Sequence, residues 1–249
     1  MVNFFRKMRK NTLSESGTVK YLKYAIGEII LVVIGILIAL QVNNWNEGRK
    51  ALIKRNEFTR SLLRELKQDT TDFKARHQAI TEDFEQFDAY ELRLSSNSAT
   101  IDTMKHIARF EFNPAIDGKN MYSNNTLKAL QESGDIQLYP RHVQELMLSL
   151  LSQQDYFQGI TVLFLKEFQS AFQKMNDLAT RPEKNRYFSI NEKFKSETWD
   201  HLNEVEFITV FDNLINSKIT YNKYRIQSDK LLSEKTEELI KTLQSFNQK

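Results

Sequence analysis

The sequence predicts an all-α protein: one transmembrane helix near the N-terminus, followed by an elongated helical bundle with three long helices and short connecting helices. Three observations lead to this prediction. Residues 25–42 are a single apolar segment. Large apolar residues recur at intervals of three and four over three long stretches. Only 7 of the 249 residues are glycine and 3 are proline, which is too few turn-forming residues for a many-stranded sheet.

The apolar segment, AIGEIILVVIGILIALQV, is long enough to cross a bilayer. Its eighteen residues would extend about 27 Å as a helix, close to the ~30 Å hydrocarbon core. Tyr21 and Tyr24 precede the segment and Trp45 follows it, at positions where aromatic rings settle among lipid headgroups. No small-x-small cleavage pattern follows the segment. We therefore expect a retained membrane anchor with these three residues as interface anchors.

The distribution of basic residues predicts the orientation of this anchor. Residues 1–24 contain six lysines and arginines, and residues 43–60 contain five. This narrow excess favours a cytoplasmic N-terminus. We thus predict a cytoplasmic basic tail at residues 1–24, the span at residues 25–42, and a helical extramembrane domain at residues 43–249 on the opposite side. One cluster in the tail is also placed to contact anionic lipid: Arg6, Lys7, Arg9 and Lys10.

The three long helices are predicted at residues 43–94, from Pro140 to about residue 181, and at residues 205–246. The first has a heptad-like seam at Leu66, Phe73, Ile80, Phe84, Phe87 and Leu94, with Thr70, His77 and Glu91 at the intervening positions. This seam predicts His77 as a hydrogen-bonded histidine inside the bundle. A short helix is expected to begin at a cap formed by Ser123 or Asn124 and to end before Gly134.

Composition and motifs give no evidence of a reaction. Outside residues 1–42 the chain has 29 basic and 30 acidic residues, so its pI of about 8.8 reflects the N-terminus and predicts no nucleic-acid surface. There is no cysteine, no metal-ligand spacing among the four histidines, and no glycine-rich nucleotide motif. Glu82, Asp83, Glu85 and Asp88 predict a solvated helix face more readily than a paired-carboxylate site. We expect no catalytic residue, cofactor or metal, and no enzyme.

The unusual residue of the span is Glu28. It lies on one helical face with Gly35 and Ala39, a small-xxx-small pair that lets two helices approach closely. Association of this face with a second copy or another membrane protein is the favoured interpretation. Two alternatives stay open: Glu28 reaches the headgroups, or it serves a proton or ion pathway.

Two segments resemble a known family. The segment YLKYAIGEIILVVIGILIALQVNNWNE at residues 21–47 resembles the signature of an uncharacterised family of single-pass membrane proteins in Bacteroidota. The segment NTLKALQESGDIQL at residues 125–138 is similar to that family's second characteristic segment. The resemblance implies a bacterial inner-membrane protein with a periplasmic domain, and it implies no activity.

Together these observations predict a membrane-anchored helical interaction or scaffold protein that has no catalytic activity and forms oligomers. Its expected partners are membrane lipid and either further copies of itself or another membrane protein, and not nucleic acid. A subunit of an ion-conducting or transport assembly that uses Glu28 is one alternative. A ligand-sensing extramembrane domain is the other.

Overall fold

The structure, a computed structural model, describes residues 18–116, 122–179 and 192–247. These residues contain helices and no strand, which confirms the predicted all-α class. The elements, in chain order, are α1 (Thr18–Leu94), α2 (Ile101–His106), a π-helical turn (Ile107–Glu111), α3 (Asn125–Glu132), a 3-10 turn (Asp135–Leu138), α4 (Arg141–Leu178), α5 (Glu192–Asp200) and α6 (Glu204–Asn247).

Helix α1 is 77 residues long and contains both the predicted span and the first predicted bundle helix. The chain divides into two compact units after Glu57. In the first unit the described residues are helical, and every side chain from residue 26 to residue 50 is exposed. The second unit begins at Phe58 and contains the rest of α1 together with all the other helices. The predicted boundaries at residues 24 and 42 stay predictions.

The second unit has two apolar clusters, and their members give the helix directions. One cluster joins Leu66 of α1, Val143 of α4 and Leu239 of α6. The other joins later residues of α1 and α4, such as Phe87 and Phe168, to an earlier residue of α6, Phe211. Helices α1 and α4 therefore run in the same direction, and α6 runs antiparallel to both.

All three long helices present a heptad pattern of buried residues, as knobs-into-holes packing requires. Buried or half-buried positions follow one another at intervals of three or four residues. They are 62, 66, 69, 73, 76, 80, 83, 87 and 90 in α1; 143, 147, 150, 154, 157, 161, 164, 168, 171 and 175 in α4; and 207, 211, 214, 218, 221, 225, 228, 232, 236, 239 and 243 in α6.

The seam of α1 differs from the predicted one at the intervening positions. The prediction placed Thr70, His77 and Glu91 there, whereas the structure buries residues 69, 76 and 90. Phe84, which was predicted on the seam, is half-buried and packs against the second cluster, beside the half-buried Asp83. His77 is consequently exposed, and its prediction as a bundle histidine is wrong. The physical reason is that the buried positions between the large apolar residues include charged side chains, and a search for apolar residues at heptad spacing does not detect them.

Helix α3 begins and ends at the predicted residues, and Asn124 occupies the N-cap position, as one of the two predicted alternatives had it. The side chain of Asn124 makes no capping hydrogen bond. Instead Glu65 of α1 accepts hydrogen bonds from the backbone N–H of Thr126 at 3.1 Å and from its hydroxyl at 2.7 Å. A carboxylate at a helix N-terminus also complements the helix dipole. Gly134 follows the helix with φ of 75°, a left-handed conformation that favours glycine, as predicted for a C′ residue.

The observed seam predicts different outcomes for two alanine substitutions on α1. Ile80→Ala removes a buried side chain and should lower the free energy of unfolding by about 2–4 kcal/mol. His77→Ala, one turn away on the exposed side, should change it by less than about 0.5 kcal/mol. Urea unfolding of the detergent-solubilised chain, followed by circular dichroism, measures both. Equal losses for the two variants would contradict the observed seam and support the predicted one.

Candidate functional site

The first candidate site is the apolar part of α1. Among the described residues, this is the one helix long and apolar enough to cross a membrane, and its most apolar 18-residue window has a mean hydropathy of 2.6. None of that window is buried. The buried core helix of a soluble domain is therefore a poor description of it, while a signal sequence near an N-terminus would satisfy the same criteria of length and composition.

The predicted site residues of the span lie on this helix as the sequence implied. Positions 28, 35 and 39 fall within about 40° of one another around an α-helix, so Glu28, Gly35 and Ala39 share a face. All three are exposed, and a methyl group added at Gly35 would meet no other atom within 4 Å. Tyr21, Tyr24 and Trp45 are exposed as well. The predicted basic cluster Arg6, Lys7, Arg9 and Lys10 lies outside the described residues.

The second candidate site, which sequence reasoning missed, is a set of buried charged and polar side chains along the seams of α1 and α6. We call it the charged layer. Its members are Asp69, Arg76 and Asp83 of α1 and Lys218, Asn222, Arg225 and Asp229 of α6. The three α1 residues are spaced by seven, and each replaces an apolar residue in the heptad seam. A search for heptads that allowed charged residues at core positions would have found them.

Two ion pairs join α1 to α6 in this layer. Arg76 Nε donates to Asp229 Oδ2 at 2.5 Å, and Arg76 Nη2 donates to Asp229 Oδ1 at 3.4 Å. Lys218 Nζ donates to Asp83 Oδ1 at 2.8 Å and to the backbone carbonyl of Asn113 at 2.7 Å. The other oxygen of Asp83 accepts from the amide of Asn222 at 2.9 Å. Both carboxylates are thereby matched to a buried cation.

Asp83 was predicted on a solvated face with Glu82, Glu85 and Asp88. The structure leaves those three residues exposed, but it places the Asp83 side chain inside the layer, 18% exposed. The four acidic residues therefore do not form a paired-carboxylate site, since only Asp83 faces the bundle. Its neighbours in sequence lie on the other side of the helix.

Burial changes the ionisation of the charged layer. Loss of solvation raises the pKa of Asp69 to about 7, although its hydrogen bond from the backbone N–H of Ser123 and the charge of Arg76 act in the opposite direction. Burial also lowers the pKa of Lys218, against the stabilising effect of Asp83. The pKa of Arg225 is lowered by burial and then by the charge of Arg76. An aspartate pKa near 7 makes Asp69 the group of this layer that changes charge near neutral pH.

The described residues include no group of three or more histidine, aspartate and glutamate side chains arranged to hold a metal ion. The prediction that the chain has no catalytic residue, cofactor or metal site stays a prediction. The chemistry of the charged layer is that of charge pairing and hydrogen bonding.

Comparison with known proteins gives one match. Residues 28–105 match a family model described as a family of unknown function, DUF6090. The match begins at Glu28 in the predicted span, includes the α1 residues of the charged layer and ends in α2. The segment at residues 125–138, whose resemblance was noted in the sequence, lies outside it. No curated protein and no solved structure matches the chain. The chain is thus similar, over less than a third of its length, to an uncharacterised family.

The raised pKa of Asp69 predicts a specific pH dependence of stability. The folded state holds the Asp69 proton up to about pH 7, whereas the unfolded chain releases it near pH 3.8, so stability falls as the pH rises through this window and is constant above it. Asp69→Asn keeps an acceptor for the Ser123 N–H and cannot ionise. The variant should gain about 2–4 kcal/mol relative to the parent between these limits, measured by urea unfolding at a series of pH values.

The control for this experiment is Asp88→Asn, which removes an exposed carboxylate of the same helix. Its stability should follow the parent's pH profile. A constant difference between Asp69→Asn and the parent from pH 4 to pH 8 would show that the Asp69 carboxyl does not titrate in this window.

Proposed function

We propose that this chain is a membrane-anchored helical interaction or scaffold protein without catalytic activity. The observation that supports the proposal is the apolar part of α1, in which an unbroken helical surface of aliphatic side chains is exposed on every side. Such a surface is unstable in water and requires lipid or protein around it. The bundle of the second unit supplies a helical surface on which a partner can dock.

We further propose a bacterial inner-membrane location with residues 1–24 in the cytoplasm and residues 43–249 in the periplasm. The narrow excess of basic residues before the span supports this orientation. The resemblance of residues 21–47 to single-pass proteins of Bacteroidota supports the compartment. The match to a family of unknown function supports membership of an uncharacterised group and adds no activity.

Two alternative functions have an observation in their favour. An ion-conducting or transport assembly is supported by Glu28, because an acidic residue within a span is costly in lipid unless it has a partner or a role. A ligand-sensing domain is supported by the charged layer, since a buried polar layer costs stability that an apolar layer would not.

The orientation is tested by reporter fusions after Lys249. Alkaline phosphatase, which folds only in the periplasm, should be active at this position, and a fluorescent protein that folds only in the cytoplasm should be dark. The reason is that one span with a cytoplasmic N-terminus places the C-terminus on the other side. The reverse pair of signals would overturn the orientation, and equal expression of both fusions on an immunoblot is the control.

Association through the span is tested by substitution at Gly35. Gly35→Leu should weaken association of the isolated span in a membrane two-hybrid assay at least fivefold, because the added bulk keeps two helix backbones apart. Ile36→Leu adds no volume and lies about 100° around the helix, so it should have no effect. Glu28→Gln should retain association, since the amide still donates a hydrogen bond. Undiminished association of Gly35→Leu would mean that this face contacts only lipid.

A further inference from the structure

Arg225 differs from the other buried cations of the charged layer. Its side chain is fully buried, with an exposed fraction of 0%. None of its three guanidinium nitrogens has a hydrogen-bond acceptor among the described residues. The ring of Tyr221 lies 6.0 Å from the guanidinium carbon. Lys218 and Arg76, by contrast, each donate to a carboxylate.

The neighbouring carboxylate compensates for Arg225 only in part, because the charge of Asp229 raises the pKa of Arg225 by less than burial and the charge of Arg76 lower it. Asp229 lies one helical turn away on α6, but both of its oxygens accept from Arg76. Two guanidinium groups therefore share the charge of one carboxylate, which leaves one positive charge in excess while Asp69, the other acid that acts on Arg76, is neutral below about pH 7. The Arg225 guanidinium itself does not lose its proton in a protein, so its own charge persists at every physiological pH. A buried charge without a partner costs several kcal/mol.

Further polar atoms without partners come from α4, the helix that packs against α6. The amide nitrogen and oxygen of Gln154 and the hydroxyl oxygen of Thr161 are buried, and they have no hydrogen-bond partner among the described residues. Gln154 and Thr161 are seven residues apart and so occupy equivalent heptad positions, with Phe157 between them. The ring of Phe157 lies 6.2 Å from that of Tyr224, the residue before Arg225. The polar groups of α4 are thus at the same level of the bundle as Arg225.

We propose that the bundle binds a small oxyanion at this level, with Arg225 as its principal ligand and the Gln154 amide and Thr161 hydroxyl as further donors. The planar guanidinium presents paired N–H groups that match the oxygens of a carboxylate or a phosphate. One negative charge neutralises the excess left by Arg76, Arg225 and Asp229. The apolar rings of Phe157 and Phe164 near Tyr224 exclude water, which strengthens the interaction.

The ligand chemistry has two sources, a carboxylate or inorganic phosphate, and the experiment separates them. The full chain is purified in detergent in chloride buffer, and thermal unfolding is followed by circular dichroism while acetate or phosphate is added at constant ionic strength. A ligand at about a hundredfold excess over its Kd should raise the midpoint by roughly 5–10 °C. The anion that gives the larger shift at equal concentration identifies the class.

Variants decide whether the shift comes from this site. Arg225→Met removes the charge at similar volume and should abolish the shift, while Gln154→Leu should reduce the affinity severalfold. Arg141→Met removes an exposed arginine of α4, with 92% of its side chain accessible, and should retain the full shift. Arg225→Met is expected to fold, because it removes an unpartnered buried charge, and its circular dichroism spectrum in chloride buffer checks this.

Two results would overturn the proposal. One is the absence of any shift in the parent with either anion up to tens of millimolar. The other is an equal shift in the parent and in Arg225→Met, which would place anion binding elsewhere on the chain. Either result leaves the proposed membrane anchoring untouched, since that proposal rests on the first unit and is tested by fusions and span variants.

Discussion

The two buried ion pairs between α1 and α6 are the constraint on which the register of the bundle depends. Arg76 pairs with Asp229, and Asp83 pairs with Lys218. If α6 slid by one heptad in one direction, Asp229 would face Asp69 and Lys218 would face Arg76. Both contacts would join like charges in a desolvated core. A slide in the other direction would set Asp229 against Asp83. The apolar parts of the seams discriminate less between these registers, because large apolar residues recur along both helices on either side of the charged positions. We infer that the charged layer selects one register from several that have similar apolar contacts.

The same layer explains why the prediction of the seam was half correct. Leu66, Phe73, Ile80 and Phe87 were assigned to the core from their spacing, and they are buried or nearly so. The intervening core positions were assigned one residue too late, to residues such as His77, because the correct ones include Arg76 and two aspartates. A rule that places apolar residues inside and charged residues outside is reliable where burial is the main energy term. It fails where a charge has a partner on another helix, since one sequence without contact information does not show that partner.

Features set by local chemistry or by composition were predictable from the sequence. The extent of the long helices followed from periodicity and from the scarcity of glycine and proline, and Gly134 was recognised because a helix that ends in Ser-Gly requires a left-handed residue there. The candidate span followed from hydropathy. The cap of α3 was not predictable, because Glu65 reaches it from a residue about sixty positions earlier in the chain. The charged layer has the same origin, as its contacts join residues separated by more than a hundred positions.

Register selection does not explain every buried charge. Replacing buried ion pairs by apolar residues of similar volume often raises stability, so a charged layer in a core needs a reason. For Arg76, Asp229, Lys218 and Asp83 the reason is the register, since each has a partner on the opposite helix. Arg225 takes no part in either pair, and removing it would leave both intact. Its positive charge also disfavours Arg76, which lies close enough to lower its pKa. A residue that adds nothing to register and opposes its neighbour electrostatically is costly in the isolated bundle. An anion that binds it converts this cost into binding energy, which is the physical basis for assigning Arg225 to a ligand.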